Sequence, residues 1–148
     1  METTLVFILS FALCYHAKAA VLTDPCRLTN VYSNQPDGAE PLMYLVIPPG
    51  CKSGQVDWDW PQGAINLSAE LPGQNFRLCI EARSTGVSML GGITELTGGV
   101  SKPLALPSAG DPTCTTSVKG QAELLMHAFH SQLYWTTFLY TVVPDTTN

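Results

Sequence analysis

Four kinds of residue in this chain have side chains whose type and spacing could carry chemistry: two close aspartates, two of the three histidines (the third, His16, lies near the start of the chain), a set of cysteines and three tryptophans. Asp57 and Asp59 alternate with Val56, Trp58 and Trp60. On one face of a strand their carboxylates stand roughly 7 Å apart, inside the ~5–9 Å range used by glycoside-hydrolysing carboxylate pairs. The same alternation has a plainer reading, a solvated polar face opposite two buried tryptophans, and the apolar density of the stretch favours it. His127 and His130 share a face only on a helix, and no carboxylate or thiolate stands near them at metal-ligand spacing. No metal and no cofactor is expected. Neither G-x-S-x-G, H-E-x-x-H nor a phosphate-binding glycine loop occurs, so the expectation is a protein that is not an enzyme. Trp58, Trp60 and Trp135 could stack on sugar rings, but their strand-like context points to core packing. Asn66-Leu67-Ser68 is an acceptor sequon for N-linked glycan, and the alternation puts Asn66 on an outward face.

The cysteines depend on where the chain resides. Residues 4–13 (TLVFILSFAL) form an apolar run the length of a secretory leader core, too short to span a bilayer. Ala17-Lys18-Ala19 supplies the small-x-small cleavage pattern, although the segment before the apolar run carries Glu2 and no basic residue. The expectation is a leader over 1–19 and one domain over 20–148, secreted to the extracellular space. Cys14 leaves with the leader. Cys26, Cys51, Cys79 and Cys114 remain, an even set that reads as two disulfides in an oxidising compartment, with three pairings open. Without Glu2 and Lys18, 11 acidic residues face 6 basic ones, and no basic run exists. Nucleic acid is therefore not an expected partner, nor is an anionic membrane surface. No later run approaches the ~20 apolar residues of a membrane helix.

The elements that must position these residues read as strands. Within residues 51–80, Val56, Trp58 and Trp60 share a side. After a Pro61-Gln62-Gly63 break, Ile65, Leu67 and Ala69 alternate with Ala64, Asn66 and Ser68; then Phe76, Leu78, Ile80 and Ala82 alternate with Arg77, Cys79 and Glu81. Period-two alternation between Pro/Gly breaks predicts half-buried antiparallel strands. Residues 20–41 read as polar and turn-rich, with a turn at 34–38. Residues 42–47 (LMYLVI) form a continuous apolar run, which predicts a strand buried on both faces. Gly91-Gly92 reads as a tight hairpin between 87–90 and 93–96. Gly98-Gly99 breaks the chain before 100–106, and 107–112 reads as a loop. Residues 121–133 fit helical and strand spacing equally. Residues 134–143 (YWTTFLYTVV) read as a strand. Eight or nine short strands predict an all-β sandwich.

Several blocks, in order, resemble the amino-terminal domain of the meteorin and meteorin-like secreted proteins. They are Cys51 with Gly54-Gln55-Val56-Asp57-Trp58, then Trp60-Pro61-Gln62-Gly63-Ala64-Ile65, then Phe76-Arg77-Leu78-Cys79-Ile80. Gly92 to Leu96, Cys114, Gly120-Gln121-Ala122-Glu123-Leu124 and Phe138-Leu139-Tyr140 continue the match. The resemblance implies a CUB-like, jelly-roll antiparallel β-sandwich with sequential disulfides, Cys26 to Cys51 and Cys79 to Cys114, and it makes 121–133 a strand. The strand pattern, independently of the resemblance, assigns structural core roles to Trp58, Trp60, Phe76, Leu78, Ile80, Phe138 and Tyr140. Trp60 stands where the family usually has tyrosine. The chain ends after this domain, so activity belonging to the family's netrin-like carboxy-terminal domain is not carried over. No acidic triad of the kind that binds calcium in CUB domains can be placed. The functional expectation is binding to an extracellular or cell-surface protein, as ligand or modulator. The alternative is a carbohydrate- or matrix-binding module of a surface or reproductive coat.

Overall fold

The computed structural model describes residues 24–30, 42–59, 63–83, 90–128 and 135–145. The expected leader and the expected 34–38 turn, Trp60, His130, residues 87–89 and 129–133, and the side chains of Asp59 and Trp135 lie outside the described residues.

Among the described residues, ten strands form two five-stranded sheets. The first sheet has the order β1 (Arg27–Asn30), β3 (Ser53–Asp59), β10 (Trp135–Pro144), β5 (Phe76–Ala82), β8 (Thr113–Thr116). The second has β2 (Leu42–Val46), β4 (Ala64–Glu70), β9 (Gln121–Ala128), β6 (Leu90–Glu95), β7 (Lys102–Leu104). The pairings are antiparallel except at one edge of each sheet, where β1 runs parallel to β3 and β2 parallel to β4. Alternation produces the layers. Val56 and Trp58 from β3, Phe76, Leu78 and Ile80 from β5, and Phe138 and Tyr140 from β10 point inward from the first sheet. They meet Ile65 and Leu67 from β4 and Leu124 and Met126 from β9 in one continuous cluster. Trp58, Phe76 and Tyr140 are each 1% exposed, and Leu78, Ile80 and Phe138 are at 0%.

The disulfides join Cys26 to Cys51 and Cys79 to Cys114, with Cα separations of 5.5 and 4.0 Å. The first closes the entry to β1 against the entry to β3. The second crosses between paired residues of β5 and β8 on the outer face of the first sheet.

The ambiguous segment is a strand over Gln121–Ala128. Helix preference there amounts to tenths of a kcal/mol per residue. It yields to hydrogen bonding on both sides, with β4 and β6, and to complete burial of Ala122, Leu124 and Met126.

Three readings are corrected. The run at 42–47 is not buried on both faces. β2 is an edge strand on which Met43 and Leu45 pack against the core, while Leu42, Tyr44 and Val46 are 48%, 70% and 58% exposed. Gly91 and Gly92 do not turn the chain; they lie inside β6, where the pairing with β9 shifts register between Leu90 and Gly92. The stretch read as polar and turn-rich, residues 20–41, contains a strand, β1, which pairs parallel with part of β3.

Candidate functional site

The outer face of the first sheet carries a polar cluster built on β3. Register sets Arg27 beside Gln55 and Thr29 beside Asp57 on one flank, and Thr137 beside Asp57 on the other. Arg27 Nε donates to Asp57 Oδ2, Thr137 Oγ1 donates to Asp57 Oδ1 at 3.0 Å, and Gln55 Nε2 reaches the same carboxylate at 3.1 and 3.2 Å. Arg83 Nη1 donates to Gln55 Oε1 at 3.0 Å, which extends the chain of contacts to the end of β5.

Asp57 is therefore not a solvated residue; it is 6% exposed. The alternation assigned its face correctly, but it could not register the neighbouring strands that cover that face. Burial pushes its pKa up, and donation from Arg27, Thr137 and Gln55, with the Arg27 charge, outweighs this and holds the carboxyl below its ordinary range. A glycosidase acid needs the opposite shift, so that it stays protonated near neutral pH. Asp57 is suited to a structural anion.

Beneath this cluster the first disulfide and the core meet. The Tyr140 hydroxyl donates to the Cys26 carbonyl at 2.8 Å. Burial raises its pKa, and the Asp24 charge adds to the shift. Gly54 makes the contact possible. A Cβ at that position would land on the Cys26 carbonyl oxygen and lie 2.7 Å from Tyr140 Cζ.

The outer face of the second sheet is different in kind. Leu42, Tyr44 and Val46 form an exposed apolar row along β2. Tyr44 pairs with Asn66, and Asn66 pairs with Leu125 of β9. The sequon asparagine is thus on the outer face, half-buried, with its Oδ1 buried and without a hydrogen-bond partner. The adjoining groups on β9 are Glu123 beside Ser68 and His127 beside Ala64. Sequence reasoning missed this row because an unbroken apolar run carries no sign of which strand ends up at a sheet edge.

Other chemistry-bearing groups do not converge. His127 lies on the exposed outer face of β9. Among the described residues no group of three His, Cys, Asp or Glu side chains gathers at metal-binding distance. A cleft of about 250 Å³ lies at one end of the sandwich, lined by Cys51, Lys52, Leu71, Gln74, Phe76 and Val142; it is smaller than the ~300–1,000 Å³ of typical small-molecule sites. Among the described residues, no helix is long and apolar enough to cross a membrane. No family model matches the chain, and no curated protein matches it.

Proposed function

We propose that this is a secreted protein that works by binding another protein outside the cell, as a ligand or modulator, through the β2 edge and the adjoining face of the second sheet. The single observation that carries the reading is the exposed row Leu42, Tyr44 and Val46 on an edge strand. Large apolar side chains lined up at a sheet edge, with Tyr at the centre, are the composition of a contact surface. Two disulfides fit an oxidising, extracellular setting. Their sequential pairing is also what the resemblance to the meteorin amino-terminal domain implies. The carbohydrate-module alternative is the weaker reading, since Trp58 lies in the core and offers no stacking surface.

The test is binding of the purified protein to cell surfaces. Tyr44→Lys is expected to lower binding about tenfold or more with an unchanged melting temperature. Unchanged binding by a folded Tyr44→Lys protein would remove β2 as the contact strand.

A further inference from the structure

We propose that the partner of β2 is a second copy of this chain, paired antiparallel about a two-fold axis at Tyr44, so that two second sheets join edge to edge. The inference rests on reading β2 as the contact strand, and it leaves the adjoining outer face of the second sheet, doubled across the seam, for the cell-surface partner.

The backbone geometry supplies the first argument. The Ile47 N–H donates to the Ser68 carbonyl on β4 at 2.8 Å. Backbone groups alternate sides along a strand, so those of Met43 and Leu45 also face β4. The N–H and C=O groups of Leu42, Tyr44 and Val46 face the open edge. Pairing about Tyr44 sets Tyr44 opposite its own copy and Leu42 opposite Val46. Each of these is a hydrogen-bonded pair, giving about six bonds across the seam. The residues that offer backbone groups to the partner are the same three that expose apolar side chains. One register therefore satisfies both.

The other sheet edges are guarded. β7 carries Lys102 and Pro103, the usual means of blocking strand addition. β1 and β8 are only four residues long, and β1 also carries Arg27; short and charged edge strands offer little to an added strand. β2 has neither charge nor proline within it. In a chain of net charge −5, an uncharged strand is a segment that can meet its own copy without like charges facing each other. Pro48 and Pro49 follow one residue after the strand, beyond Ile47, and stop the pairing from lengthening. The contact is isologous and uses up the open edge, so it closes as a dimer and does not propagate.

Sedimentation of the full secreted chain over a concentration series tests this. The wild type is expected to pass from monomer to twice that mass. Tyr44→Lys, which sets two ammonium groups opposite each other across the two-fold, should raise the dimer dissociation constant about tenfold or more. Val118→Lys, also at an exposed apolar position, should leave it unchanged. Because Tyr44 is largely exposed, the variant should keep the melting temperature that the wild type shows at concentrations below its dimer dissociation constant. As a second measurement, Tyr44→Cys should form an interchain bridge under mild oxidation, whereas Val118→Cys should not. A wild type that stays monomeric throughout, or a dimer indifferent to Tyr44→Lys with no Tyr44→Cys bridge, overturns the proposal. If the protein is monomeric and Tyr44→Lys still abolishes cell-surface binding, the contact-strand reading survives and only the identity of the partner falls.

Discussion

A carboxylate covered to the extent of Asp57 stays ionised only because of what donates to it, and its removal is expected to show in two ways. Asp57→Asn should destabilise the fold by about 1–3 kcal/mol at neutral pH, since a buried carboxylate that accepts from Thr137, Gln55 and Arg27 loses its charge; the Arg27 side chain is 57% exposed, so solvent screens its share. The pH dependence has a definite sign. The folded pKa lies below the unfolded value of about 3.9, so the stabilisation is complete above that value and is lost as pH falls through the folded one. Melting temperatures followed into acid should therefore drop more steeply for the wild type than for Asp57→Asn. A parallel pair of curves would show that the carboxylate does not contribute as described. Trp58→Ala should be more damaging, about 3–5 kcal/mol, out of a total stability of about 5–15 kcal/mol, and should be seen as lost yield and lowered melting temperature. The inward side of β3 was legible in the residues, because Val56 and Trp58 alternate with polar neighbours. The burial of Asp57 was not, because it arises from Arg27 and Thr137, which lie 30 and 80 residues away in sequence.

At the level of elements, β4, β5 and β10 could be read from alternation and β-branched or aromatic content, and β9 only with the help of a resemblance. β1 was invisible: four residues, RLTN, carry no apolar periodicity and become a strand through the parallel partner β3. β2 was recognised as a strand but placed in the wrong part of the sheet. The turn into β9 also went unread. Lys119 and Gly120 both take positive φ, 53° and 77°, and Val118 and Gln121 bond to each other across them. A Cβ on Gly120 would lie 2.5 Å from the Leu71 carbonyl oxygen, which already accepts from Gln74. Gly120→Ala should therefore cost about 1–3 kcal/mol through strain alone. Thermal unfolding checks this, and the neighbouring Lys119→Gly should be neutral or slightly stabilising, because only the alanine introduces a clash.

For the molecule as a whole, turn-separated alternation was enough to establish an all-β sandwich. It did not establish which strands are neighbours, since side-chain period reports a face and not a partner. Both disulfides sit in the first sheet, one at each edge strand. Replacing Cys79 and Cys114 together by serine should lower stability by about 4 kcal/mol, as the unfolded chain regains the freedom of a 35-residue loop; denaturant titration measures it. The position of β10 reaches beyond stability. The final described strand lies at the centre of the first sheet, hydrogen-bonded to β3 on one side and β5 on the other. Until it arrives, β3 and β5 have no strand between them, and the core lacks Phe138 and Tyr140. Assembly of the first sheet must therefore wait for synthesis to deliver residues 135–144, and the long sequence separations make the closing step slow. Chains truncated before Trp135 are expected to remain protease-sensitive and chaperone-bound, and released chains that include Pro144 to become resistant.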